Sequence, residues 1–336
     1  MCEPPRKKRC YVNVLSPFQC LPSELLLKIF LYATKDDLFT LSSVARVCTN
    51  WREFQKECVA HWINEKQLLL LRDFKRRRLK QAVLLLCSLR TFLKGVYLSE
   101  YFQEALSALQ SSFLTRFCPN VTNLEVNDFG SEEALLECLR GWSTLRKFTC
   151  NWNKHLTDEA VRALGKCVQL THLEMTVSSN VSPHGLLPLA QLHNLKTLYL
   201  AECQGIRSSG FSFVAALTNL QSLHLFHCCF DERGLKYLSK LTSLTTLEIG
   251  WSSSEVVGVE DLSSIARLRS LRSLALCCNK LRNTSVLQLT ALHDLQNLQI
   301  CRCSPQLTEE CLPHIARKLP QLTKLRLLTA VSCRGS

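Results

Sequence analysis

No apolar run in this chain of 336 residues is long enough to span a bilayer; residues 68–71 and 82–86, the longest candidates, stop at charges. The opening Met1-Cys2-Glu3-Pro4-Pro5-Arg6-Lys7-Lys8-Arg9 lacks the apolar stretch of a secretory signal. A place inside the cell, in the cytoplasm and/or the nucleus, and no membrane association are therefore expected. The 19 cysteines contain no Cys-x-x-Cys pair, so zinc has no recognisable ligand set, and no metal or cofactor is expected. Their odd number and the absent signal point to free thiols. No nucleophile motif or phosphate loop accompanies His172, His224 or His227, which leaves no catalytic residue to assign and predicts a non-enzyme. The tail Cys333-Arg334-Gly335-Ser336 lacks the aliphatic middle of a prenylation signal, and the three glycosylation-type triplets at Asn120, Asn180 and Asn283 have no use outside the secretory route.

Charge is unevenly spread. Residues 1–120 carry 19 Lys+Arg against 10 Asp+Glu, a balance of +9, whereas residues 121–336 carry 22 against 18, a balance of +4. The excess lies in Arg6–Arg9, which reads equally as a nuclear import signal or a solvated tail, and in Arg72, Lys75, Arg76, Arg77, Arg78 and Lys80 on an expected helix over 66–86. Nucleic-acid sites usually interleave such charge with aromatic platforms, and here the aromatics lie mainly elsewhere, so nucleic acid is not the expected partner.

What the chain has in abundance is one phrase, apolar-x-x-apolar-x-apolar, opening at Val121, Leu145, Leu170, Leu195, Leu220, Leu244, Leu271, Leu295 and Leu322 in steps of 24 to 27 residues. That period belongs to leucine-rich repeats. In Leu195-Lys196-Thr197-Leu198-Tyr199-Leu200 the alternation puts Leu198 and Leu200 on one side of a strand and Thr197 and Tyr199 on the other. About eight residues after each opening, where the chain leaves the strand, stand Asn153, Cys203, Cys228, Asn279 and Cys303; Phe129, Ser178, Ser252 and Ala330 depart from that pattern. Between strands lie amphipathic stretches such as 156–164, which Thr157 can cap and whose first turn is acidic, and Gly185, Gly210 and Gly234 recur near their starts. A strand plus a helix cannot bury its apolar face alone, so the units stack. The predicted class is α/β: an all-helical N-terminal unit, then a solenoid with parallel strands on its concave face and helices on its convex face.

Ahead of the repeats, Leu21-Pro22-Ser23-Glu24 suits a helix start, with proline and an acid in the first turn. Leu25, Ile29 and Phe30 share a face, and Leu38, Leu41, Val44, Val47, Cys48 and Trp51 continue an apolar stripe after Asp36-Asp37. So small a unit either tucks that stripe under the repeats or offers it to a partner. The Leu-Pro start, the Glu-x-x-x-x-Ile-Phe core, the Asp-Leu step and the Val-Cys-x-x-Trp ending resemble an F-box over residues 18–57, with Ala33-Thr34 where the family commonly has leucine and proline. With the repeats, the chain resembles the F-box/leucine-rich-repeat substrate receptors of SCF-type cullin-RING ubiquitin ligases. The resemblance implies that Leu21, Pro22, Leu25, Ile29, Phe30, Leu38, Val47 and Trp51 form the adaptor-contact and core pattern. Leu21 and Pro22 are favoured for the contact with the Skp adaptor, which leads to cullin and RING subunits, and Trp51 for internal packing.

The expected organisation is a basic tail at 1–17, the F-box at 18–57, a helical connector at 58–117 with an irregular first repeat near Leu89 to Leu98, the solenoid at 118–330 and a tail at 331–336. Outward positions around the strands include Trp152, His172, Glu174, Tyr199, Glu202, His224, Phe226, His227, Glu248, Trp251 and Arg302. Trp152, Glu174, Tyr199, Glu202, His224, Phe226 and Trp251 are the candidate residues for binding an unidentified protein substrate: aromatic anchors among carboxylates, suited to a slightly basic or amphipathic target. Trp152 and Trp251 could instead fold back over neighbouring strands. A repeat scaffold or inhibitor that never transfers ubiquitin is the competing reading.

Overall fold

The structure is a computed structural model that describes residues 69–70, 94–98, 115–116 and 118–329, less 128–130, 153–155, 178, 204–205, 207, 229–231, 251–259, 278–280 and 304–306. Contacts divide the chain into units 1–66 and 67–336, and the described residues belong to the second. The eight F-box positions from Leu21 to Trp51, the Arg6–Arg9 run, the basic residues 72–80, Trp251 and the tail 331–336 lie outside them.

Among the described residues a single parallel sheet of eleven strands runs in chain order: β1 (Leu69–Leu70), β2 (Gly95–Leu98), β3 (Asn123–Asn127), β4 (Lys147–Asn151), β5 (His172–Thr176), β6 (Thr197–Ala201), β7 (Ser222–Phe226), β8 (Thr246–Gly250), β9 (Ser273–Cys277), β10 (Asn297–Cys303) and β11 (Lys324–Thr329). From β3 onward each begins two residues after an opening of the repeated phrase. Register sets Leu173, Leu198, Leu223, Leu247, Leu274 and Leu298 side by side, and Met175, Leu200, Leu225, Ile249, Leu276 and Ile300 beside them. All twelve are at most 2% exposed. Burying each such side chain stabilises by about 1.5–3 kcal/mol, and no repeat achieves it alone because its leucines are covered by the repeats on either side.

Two strands precede the first repeat counted in the sequence. Gly95–Leu98 pairs with β3, and Leu69–Leu70 pairs with it in turn. Leu69–Leu70 is strand where a helix over 66–86 is expected. A short unbroken leucine run suits a buried strand as well as a helix, and periodicity does not separate the two.

The return segments mix two helix types. True α-helices are α1 (Glu132–Gly141), α2 (Asp158–Gly165), α3 (Glu232–Leu238), α4 (Asn283–Gln288) and α5 (Leu312–Lys318). Thr157 caps α2 as expected, its hydroxyl accepting from the Ala160 amide, and Ser131 caps α1 in the same way. Leu187–Gln191, Ser208–Ala216 and Ile265–Arg267 are 3-10 turns instead of the α-helices expected there. Pro188 removes a donor from the first of these, and Ser208, Ser209 and Gly210 are poor helix formers in the second. Gly210 also sits so close to the Pro183 carbonyl that a Cβ would collide with it.

Polar groups stitch the turns between repeats. The amides of Lys196 and Thr197 both donate to Thr171 O, and those of Gln221 and Ser222 both donate to Lys196 O. Asn194 and Asn219 send side-chain amides to Val168 O and His193 O at 3.0 and 2.8 Å. Where the chain leaves the strand, Cys203 donates to Ala201 O, and Cys228 to Phe226 O and Leu200 O, at 3.3 to 3.8 Å. These thiols are therefore structural, as the repeat position requires. Buried Cys167 has its thiol pushed up to about 11 by desolvation.

Candidate functional site: the outward face of the sheet

Because strand side chains alternate, the residues between the leucines stand on the face opposite the core. The middle outward position reads Glu125, Thr149, Glu174, Tyr199, His224, Glu248, Ala275, Gln299 and Arg326 from β3 to β11, and the last reads Asn127, Asn151, Thr176, Ala201, Phe226, Gly250, Cys277 and Cys301 from β3 to β10.

Four of the expected residues meet in the middle. The rings of Tyr199 and Phe226 stack with centroids 5.3 Å apart, and His224 lies 6.0 Å from Tyr199 and 6.5 Å from Phe226. Glu248 accepts from His224 Nδ1 at 2.8 Å. Phe226 leans over Gly250, where a Cβ would stand 2.8 Å from its Cδ1, so the glycine makes room for the ring. Glu202 accepts from His227 Nδ1 at 2.8 Å, just past the strand ends. One strand before Tyr199, Glu174 accepts from Asn151 Nδ2 at 3.3 Å.

Trp152 stands apart, one residue beyond β4 and two strands from Tyr199, about 10 Å away at the usual strand spacing. It is 72% exposed, so it does not fold back over its neighbours. Among the described residues the outward aromatics form a cluster at β6–β7 and a separate tryptophan. Trp152, Glu202 and His227 occupy the same position in their repeats and all adopt left-handed backbone, with φ of 54°, 59° and 51°. The conformation lets the Glu202 and His227 amides donate to Phe226 O and Gly250 O, extending the parallel ladder past the strand ends. It costs a non-glycine residue about 1–3 kcal/mol, so the side chains are kept where glycine would be easier.

The face is electrically divided. Burial and then the neighbouring Lys147 and Lys196 push the His172 imidazole below its ordinary value. Burial and then Glu174, Glu248, Cys228 and Glu202 push the Tyr199 phenol up. Burial raises the Glu125 carboxyl, Lys147 opposing and Glu174 adding to the shift. Cations thus gather where the strands begin, and carboxylates around Tyr199 and towards the strand ends.

Ser222 Oγ lies 2.7 Å from His224 Nε2, which with Glu248 on Nδ1 reproduces the order of a serine triad. Among the described residues the nearby amides are engaged elsewhere and form no oxyanion hole: those of Gln221 and Ser222 donate to Lys196 O, and those of Thr245 and Thr246 donate to Gln221 O. The chain of hydrogen bonds fixes the imidazole and aims the carboxylate. Sequence reading passed over Ser222, which sits two residues before His224 on the same face; that spacing is the signal it carried.

Beside the aromatic cluster is a depression of about 370 Å³, bordered by Phe226, His227 and Glu248 and floored by the small side chains at Gly250, Ala275 and Cys277. Among the described residues no group of three or more His, Cys, Asp or Glu could hold a metal ion, and no helix is long and apolar enough to cross a membrane.

Residues 18–64 match the F-box-like family, a span that contains all eight positions from Leu21 to Trp51, and residues 216–239 match a leucine-rich-repeat family over β7 and α3. The chain is an F-box/leucine-rich-repeat protein. No curated protein matches it. Among solved structures, this F-box/leucine-rich-repeat protein is similar to an internalin of Listeria monocytogenes at 20% identity and TM-score 0.45, covering 64% of this chain and 56%, just over half, of the internalin. A leucine-rich-repeat protein of Leptospira interrogans aligns at 19% identity and TM-score 0.47, over 74% of this chain and 63% of that one. The Rad7 and Elc1 complex in yeast aligns at 16% identity and TM-score 0.44, over 89% and 91%.

Proposed function

We propose that the protein is the substrate-recognition subunit of an SCF-type ubiquitin ligase, its F-box docking on the Skp adaptor and its sheet face holding a protein substrate. The observation that carries this is the pairing of an F-box-like segment at 18–64 with a repeat sheet whose outward face presents the Tyr199–Phe226 stack and the exposed Trp152. An F-box has no reason to head a binding surface unless both are used together. Leu21, Pro22, Leu25, Ile29, Phe30, Leu38, Val47 and Trp51 supply the adaptor contact and its core, with Leu21 and Pro22 at the contact. Trp152, Glu174, Tyr199, Glu202, His224 and Phe226 bind the substrate, joined by Trp251 from the segment after β8. Chemistry belongs to the cullin, RING and ubiquitin-carrying subunits reached through the adaptor. This chain supplies proximity, which turns a bimolecular encounter into an intramolecular one. The place of action is the cytoplasm and/or the nucleus.

The test is co-expression of the full chain with the Skp adaptor and size-exclusion chromatography, beside a Leu21→Ala/Pro22→Ala variant whose helix content is checked by circular dichroism. The native chain is expected to co-elute and the folded variant to elute alone. Separate elution of the native chain and the adaptor would overturn the proposal and favour a scaffold that transfers no ubiquitin.

A further inference from the structure

The depression over β7–β10 has a composition that selects its occupant. One wall is the Phe226 ring, held in place by Tyr199 and by the space above Gly250. Glu248 stands beside it with its carboxylate oriented by His224, and Gln299 faces them across the floor. Among the described residues no lysine or arginine lines the recess, although the whole chain carries a formal charge of +13. Lys147 and Lys196 act on this face at His172, two strands before β7 and at the strand starts, and Lys147 also at Glu125 on β3. The floor is low because Gly250, Ala275 and Cys277 are small while Phe226 on β7 and Glu248 on β8 are not.

We infer that this recess receives an arginine side chain of an extended substrate segment, its aliphatic stem lying over Ala275, its guanidinium stacked on Phe226 and paired with Glu248. The inference rests on the substrate-receptor reading and names the chemistry that receptor selects. Arginine fits better than lysine because a planar guanidinium stacks on an aromatic face and pairs with a carboxylate at once, whereas an ammonium is a compact, strongly hydrated point charge. A volume of about 370 Å³ admits one long side chain with part of its backbone and excludes a folded element. An acidic or phosphorylated segment would meet Glu248 as a like charge, with no lysine or arginine among the described lining residues to offset it.

The test uses fluorescein-labelled octapeptide pools with the central residue fixed as arginine, citrulline, lysine, glutamate or phosphoserine, the other positions being mixtures of alanine, serine, leucine and tyrosine. Anisotropy against the full chain is expected to show the arginine pool binding at least about tenfold tighter than the citrulline and glutamate pools, the fold-change of one charge-assisted contact. In Glu248→Gln the advantage of arginine over citrulline is expected to fall to about twofold or less. Ala275→Leu, a surface change that fills the recess, abolishes binding of every pool, and circular dichroism confirms that it folds. Equal binding of arginine and citrulline, preference for glutamate or phosphoserine, or no binding by any pool overturns the inference. Any of those results with intact adaptor co-elution leaves the receptor reading standing, and arginine preference without co-elution does the reverse.

Discussion

Strands β6–β8 and strands β9–β10 share one interior and differ on their outer face. Inward, both stretches show the same stacked leucines and isoleucines, all but closed to solvent. Outward, the first presents Tyr199, His224, Phe226 and Glu248, and the second Ala275, Cys277, Gln299 and Cys301. One backbone therefore supports bulk and charge on some strands and nearly bare floor on others. The interior is bound by stacking to a narrow set of side chains, whereas the outer face is free to vary, and the recess arises where the two kinds of strand meet.

The sharpest way to break that contrast is from inside. Leu223→Ala, at a position 0% exposed between Leu198 and Leu247, is expected to destabilise the repeats by about 2–5 kcal/mol, read by denaturant unfolding followed by circular dichroism. Loss of less than about 1 kcal/mol would mean that the leucine columns do not carry the fold.

A smaller effect sharpens the outer half of the comparison. Tyr199 is expected to titrate above the ordinary phenol value of 10, seen as the difference in ultraviolet absorbance between the native chain and Tyr199→Phe. Burial is the largest cause, so a Glu174→Gln/Glu248→Gln variant should lower the midpoint only part of the way. The sign follows: a phenol raised in the folded state favours folding fully below its unfolded value, and that contribution is lost as pH rises through the folded value. An unchanged midpoint in the double variant would show that those carboxylates do not crowd the ring.

Much of this architecture was legible in the sequence because stacking enforces it. Period, strand phase, inward leucines and the cap at Thr157 all follow from which side chains can be buried or satisfied, and each is where the phrase put it. The two early strands and the 3-10 turns were not legible in the same way. Leu69–Leu70 offers too few residues for a period to show, and the 3-10 turns depend on how closely neighbouring return segments approach, as at Gly210 and Pro183. On the outer face, sequence identified the aromatics and carboxylates but not their pairing. Tyr199 meets Phe226 because they are adjacent in register and Gly250 yields space, while Trp152 is two strands removed. Gly250, Ala275 and Gln299 escaped notice since a recess is marked by what is small, and small residues carry no signal until their neighbours are known.

The central claim is that the F-box and the sheet face serve different partners at once. Quantitative mass spectrometry of proteins that co-purify with the native chain and with a Tyr199→Ala/Phe226→Ala variant tests it directly, both side chains being only part-buried on the outer face, so the fold should tolerate their loss. The account predicts equal recovery of the Skp adaptor with both chains and loss of at least one other protein, by about tenfold or more, from the variant alone. An identical set of co-purifying proteins, or loss of the adaptor together with the rest from a folded variant, would contradict it.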